Sequence, residues 1–137
     1  MKAQPLKSNE IEAANRAEAT ALLIRCRYRV YRPEADVSGE DLVIRKTDGT
    51  LVPVQLKSRL TVNRPKYGKD GTWMLFPDSN DQKFGRSWFL ISHNELFDYL
   101  KQEHPKLIDA WHNGKISKAE REFLKSAELL PRESNRA

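Results

Sequence analysis

The chain has 137 residues, of which 39% are apolar and 31% charged, with a net charge of +5 and a pI near 9.4. That length suits one domain with a real core, and the absence of a long apolar run or a secretory pattern argues against a membrane span and export. The single cysteine, Cys26, excludes an internal disulfide and reads as helix filler, so the expected setting is reducing and cytoplasmic.

In chain order, the first expected element is a helix from Ser8 or Asn9 to about Arg27. Asn9 with Glu12 gives a capping-box-like start. Ile11, Ala14, Ala21, Leu22 and Arg25 follow helical spacing, and Glu18 falls on the same stripe. A short strand over 28–31 is stopped by Pro33, and 33–40 is a loop. Strands over 41–46 and 51–57 flank "KTDGT", where Asp48-Gly49 is a hairpin signal. A basic loop follows, then a strand over 72–77, a polar loop over 78–86 and a strand over 87–92. A helix over 93–103, capped by Ser92, turns Leu96, Phe97 and Leu100 inward. A helical piece is expected over 105–112. The last helix starts at Ser117, with Glu120 completing S-x-x-E, and carries Phe123, Leu124 and Leu130. This order, helix then strands then helices, predicts an α+β (or α/β) domain with a small mixed sheet of four to five strands. The whole chain, 1–137, reads as one domain, with a core over about 9–103 and a C-terminal helical extension over about 104–130.

The hairpin register follows from side-chain alternation. A two-residue loop would set Leu42 against Gln55 and Asp41 against Leu56, scrambling polar and apolar positions. A three-residue loop, Thr47-Asp48-Gly49 with Gly49 left-handed, pairs Leu42 with Val54 and Ile44 with Val52. Asp41 then lies across from Gln55, with Lys57 one step further. A structural salt bridge between Asp41 and Lys57 would account for the pair. A divalent-metal site would account for all three: a carboxylate and an amide oxygen suit a hard cation, and the lysine would act on the attacking water or on phosphate charge. Glu18, an acid on a sheet-facing stripe, offers itself to the same site.

From Lys57 to Lys69 there are five basic residues (Lys57, Arg59, Arg64, Lys66, Lys69) and no acidic one. A solvated loop and a phosphate-contacting loop both fit that run. Tyr67 lies within it and could stack on a base.

The acid at Glu18, "GEDLVI" with Asp41, and "VQLKS" with Gln55 and Lys57 together resemble the PD-(D/E)XK nuclease superfamily. The resemblance spans about 9–92 and is nearest to small Holliday junction resolvase-type and restriction-endonuclease-like domains. It implies a restriction-endonuclease-like core and Mg²⁺- or Mn²⁺-dependent hydrolysis of DNA phosphodiester bonds, including branched junctions. It further implies Asp41 as main metal ligand, Gln55 as second ligand position, Glu18 as accessory acid and Lys57 as catalytic lysine. Arg59, Arg64, Lys66, Tyr67 and Lys69 would hold DNA, and related resolvases are dimers, which implies a homodimer. Glu40 replaces the family's variable proline, and Gln55 stands where an acid is usual. A non-catalytic nucleic-acid-binding or protein-interaction module, or a subunit of a restriction or mobile-element system, is the alternative.

His93, His104 and His112 lack zinc-ligand spacing and read as surface or capping residues. Trp73, Trp88, Phe76 and Phe89 read as core aromatics, and no phosphate-cradling glycine motif is present.

Overall fold

The computed structural model describes residues 4–34 and 40–131. The elements are α1 (Ser8–Arg25), β1 (Arg29–Tyr31), β2 (Leu42–Arg45), β3 (Leu51–Leu56), β4 (Thr61–Asn63), α2 (Arg64–Tyr67), β5 (Trp73–Pro77), β6 (Trp88–Ser92), α3 (His93–Glu103), β7 (Ala110–His112) and α4 (Lys118–Leu124), followed by a 3₁₀ turn at Lys125–Ala127. A five-stranded sheet runs in the order β1-β2-β3-β5-β6, and β4 pairs with β7 in a second sheet. Only the β3–β5 pairing is parallel; the others are antiparallel. The fold is therefore α+β with a mixed five-stranded sheet, as the element order implies.

The hairpin has the register that alternation demands. Leu42 pairs with Val54 and Ile44 with Val52. Lys46 and Thr50 close the loop, the Gly49 amide donates to the Lys46 carbonyl, and Gly49 has φ +90°. The Thr50 amide donates to Asp48 Oδ1, and that bond holds the Asp48 carboxyl below the usual carboxylate range. A residue with a side chain would be strained at Gly49, so the glycine fixes the loop length and hence which face every side chain takes.

Two apolar clusters sandwich the sheet. Leu42, Ile44, Val52, Val54, Leu75, Trp88 and Leu90 pack with Ala19 and Leu23 of α1. Met74, Phe76, Phe89 and Ile91 pack with Leu60, Val62 and the α3 residues Leu96, Phe97 and Leu100. Leu23 has no exposed surface, so Leu23→Ala would cost roughly 2–5 kcal/mol. Trp88, Phe76 and Phe89 are core residues as expected, while Trp73 is half-buried under Lys46. The C-terminal region joins both clusters, through Leu107, Ile116 and Leu124 on one face and Leu129 on the other. The Leu129 amide donates to the Trp88 carbonyl, so this segment covers the β6 edge.

Several expectations are corrected. α1 is capped at Lys7, whose amide donates to Glu10, and ends at Arg25; Asn9 and Glu12 do not form the cap. The buried face of α1 is Asn15, Ala19 and Leu23, whereas Ala14 and Arg25 are exposed. The 105–112 stretch is no helix: Ala110–His112 form β7, paired with β4 inside the segment taken for a continuous basic loop. Ser92 precedes α3 without a side-chain capping bond, and Leu130 is exposed beyond α4. Of the expected 33–40 loop, 35–39 fall outside the described residues, as does the tail from 132.

Candidate metal and nucleic-acid site

A parallel strand pair needs a long crossover, and the crossover from β3 to β5 is the basic segment. It leaves β3 at Lys57, forms β4 and the single turn of α2, and returns through Lys69. The topology thus brings the basic residues past the end of β3, where Gln55 and Lys57 stand.

At that end β2 starts one residue after Asp41. The ladder ends at the Leu42–Val54 pair, and the Asp41 amide donates to the Val54 carbonyl at 3.0 Å, which keeps Asp41 against β3. Gln55 Nε2 donates to Asp41 Oδ2 at 2.9 Å, and the Leu56 amide donates to the same oxygen at 2.8 Å. Asp41, Gln55, Leu56, Lys57 and Ser58 line a pocket of about 430 Å³, whose opposite wall is Ser8, Ile11, Glu12, Asn15 and Arg16 of α1. Three of the four sequence candidates, Asp41, Gln55 and Lys57, are therefore together.

Glu18 is not in that lining. Both its oxygens face Arg86: Nε to Oε2 at 3.1 Å and Nη2 to Oε1 at 3.0 Å, while Trp88 Nε1 donates to Oε2 at 2.7 Å. The Arg86 side chain has 0% exposure. Its remaining donors go to the Ser79 carbonyl at 3.0 Å, the Asp81 carbonyl at 2.8 Å and Asn15 Oδ1. All five guanidinium N–H groups are thus used, which is what a buried arginine requires. An acid on the sheet-facing side of α1 is indeed paired, and its partner comes from the 78–86 loop, a position where nothing in the local sequence marks a buried base.

The pocket-facing acid of α1 is Glu12, spaced with Ser8, Ile11 and Asn15 at i, i+3, i+4 and i+7; that spacing was available in the sequence. Glu12 is largely exposed and lies 4.0 Å from Arg16. Among the described residues, no three acids, histidines or cysteines cluster as a cation site. The donors present still fit a hydrated Mg²⁺ or Mn²⁺. Mg²⁺ keeps several waters and takes only one or two carboxylates, at about 2.1 Å. Two ligands on one octahedral edge are then about 3.0 Å apart, close to the 2.9 Å between Gln55 Nε2 and Asp41 Oδ2. A rotated Gln55 amide would offer its oxygen in place of its NH₂.

Arg59, Arg64, Lys66 and Lys69 are exposed, and Tyr67 is half-buried. α2 is built by its own residues: Asn63 Oδ1 caps the Lys66 amide at 3.1 Å, and Pro65 sits in the first turn. A Cβ on Gly68 would meet the Arg64 carbonyl at 2.7 Å, so only glycine closes this turn. Lys57 Nζ lies 5.4 Å from the Tyr67 ring centre, and the Arg64 guanidinium 4.4 Å from that of Phe97. Tyr67 thereby joins the basic turn to the pocket.

The histidines are not all superficial. His93 is fully buried at the start of α3. His104 stacks on Trp111 with ring centres 4.1 Å apart, and His112 lies in β7.

No protein-family model matches this chain, and no curated protein matches it. Among solved structures it is similar to a bacterial homing endonuclease, I-Ssp6803I. The two share 16% sequence identity over 93% of this chain and 95% of that one, with a TM-score of 0.44. No helix among the described residues is long and apolar enough to cross a membrane.

Proposed function

We propose that this chain is a Mg²⁺- or Mn²⁺-dependent DNA endonuclease, one nuclease-like domain that hydrolyses phosphodiester bonds. The observation that carries the reading is the joint lining of one pocket by Asp41, Gln55 and Lys57, beside a crossover that presents exposed bases. Asp41 and Gln55 would hold the cation, with Glu12 at the rim reaching it through water. Glu18 is assigned the task of neutralising Arg86. When bound, the cation supplies charge that offsets the phosphate's and renders water a better nucleophile.

The chain's own residues do the rest. Arg64, Lys66, Lys69 and Arg59 hold the backbone phosphates on either side of the scissile bond. Lys57 places an ammonium against the phosphate, where negative charge grows as the water oxygen bonds to phosphorus and the bond to the departing sugar oxygen breaks. The Tyr67 ring holds that ammonium in place.

A binding module without catalysis is favoured by one observation, the neutral Gln55 amide donating to Asp41. Incubation with linear, branched and single-stranded DNA, with and without Mg²⁺ or Mn²⁺, separates the readings. Metal-dependent cleavage that Asp41→Ala abolishes supports the nuclease. DNA binding without cleavage of any form supports the module. A preference for the branched form would extend the reading to junction DNA.

A further inference from the structure

His93 accounts for how the basic turn is held, and nothing in the nuclease reading uses it. Its Nε2 accepts the Asn63 amide proton at 3.0 Å. That bond requires the proton of the neutral ring to sit on Nδ1, which then donates to Asn94 Oδ1 at 2.9 Å. The Asn94 amide nitrogen in turn donates to the Gly68 carbonyl at 3.1 Å. Asn63 and Gly68 are the residues immediately before and after α2. One run of hydrogen bonds, all pointing the same way, thus ties both ends of the Arg64–Tyr67 turn to the first residues of α3. The His93 ring also lies edge-on to Tyr67 with centres 5.9 Å apart, and Tyr67 carries Lys57 on its face.

We propose that neutral His93, together with Asn94, is the positioning device of the phosphate-binding turn and, through Tyr67, of Lys57. Protonating His93 replaces the Nε2 lone pair with an N–H facing the Asn63 N–H, so the clamp opens at its β4 end. This rests on the basic turn being the phosphate contact. The groups facing the ring are Arg64 and Tyr67 of α2, with Lys57 beyond Tyr67, and Asp98 on α3. Burial pushes the imidazole below its usual range; the Asn94 bond opposes this, the Arg64 charge adds to it and Asp98 opposes it. Because the folded state disfavours the proton, the clamp's contribution is complete above the unfolded imidazole value. That stability declines as pH falls below it, and in the folded protein the clamp opens only at the lower, folded-state value.

The sign makes this testable. A proton gained beside a DNA-binding surface should by charge alone tighten DNA, whereas an opened clamp should weaken it. We take full-length wild type, H93Q (an acceptor without titration) and H93F (the ring without an acceptor). Duplex affinity and Asn63 amide exchange, corrected for intrinsic rates, are followed from about pH 8 to about pH 4.5, wild type being read against H93Q at each pH and a flat wild type counting against the clamp. Wild-type affinity should fall roughly three- to tenfold, the worth of one hydrogen bond, with loss of Asn63 protection. H93Q should stay flat in both readouts, and H93F should be weak and unprotected at every pH. The clamp is overturned if wild-type affinity rises on acidification, if H93Q follows wild type, or if H93F keeps Asn63 protected. Should wild type bind no DNA at any pH, the nuclease reading falls, and the exchange comparison still decides the clamp.

Discussion

Glu18 on α1 and Asp41 just before β2 are both half-buried carboxylates, yet a buried arginine holds the first and the Gln55 amide meets the second. Glu18 takes a bidentate guanidinium and an indole N–H. Asp41 Oδ2 takes a side-chain amide and a backbone N–H, both neutral. Arg86 answers the Glu18 charge in full and has no donor left over. At Asp41 the Gln55 and Leu56 bonds fix one carboxylate oxygen beside a pocket that Lys57 also lines. An acid locked to a buried arginine is a joint between α1 and the loop before β6. An acid that shares an open pocket with an amide and a lysine is the one to which the proposed function gives the cation. Both acids were site candidates in the sequence, and only the structure shows that one of them meets Arg86.

Substitution should separate the two acids by the quantity that changes. Asp41→Ala is expected to bring metal-dependent cleavage to background while leaving stability within about 1 kcal/mol, since the bonds it frees at Gln55 and Leu56 lie at a pocket open to water. Glu18→Ala is expected to do the reverse. It strands a charged guanidinium with 0% side-chain exposure, at a cost of roughly 3–5 kcal/mol in urea unfolding, and the fraction still folded should cut normally. If Glu18→Ala abolished cleavage at unchanged stability, the division between joint and site would be wrong. Lys57→Ala should keep metal affinity and lose about a hundred- to thousandfold in single-turnover rate.

What could be read in advance follows the range of the forces involved. The hairpin register was legible because alternation and a turn glycine are local and each permits one answer at Leu42, Ile44, Val52 and Val54. With the register came the meeting of Asp41 and Gln55. The phase of α1 was not, because the run around Ala13, Ala14, Ala17, Ala19 and Ala21 carries little contrast and the buried Asn15 is polar. β4 and β7 are three-residue strands from distant parts of the chain, too short for a periodic signal. Arg86 and His93 were opaque for the same reason: burial of a polar side chain is decided by partners in other elements.

A smaller effect tests the outer part of the site. Replacing Arg64 and Lys66 together with alanine should weaken DNA binding uniformly across sequences and lower the salt slope by about two units at most. An unchanged slope would leave the crossover a solvated surface and move the DNA contact elsewhere.

Gln55→Glu sharpens the contrast from the other side, because it converts a neutral donor to Asp41 into a second acid. The Nε2–Oδ2 bond is 2.9 Å long, so the change puts two carboxylate oxygens at that separation. Without a cation the pair should hold one proton between them, with one carboxyl pushed well above its usual range, as for paired acids that share a site. The metal-free variant should therefore be less stable than wild type at neutral pH and recover as pH falls toward the raised value. A divalent cation removes the penalty by taking the shared proton's place, so Mg²⁺ should bind at least about tenfold tighter than in wild type. The gain should shrink as acid competes for the pair, whereas wild type, with one carboxylate there, should show a shallower pH dependence. Calorimetric titration of both proteins with Mg²⁺ across that pH range measures it. Equal affinities would mean that position 55 does not face the cation, and the pocket would then hold its metal through Asp41 and water alone.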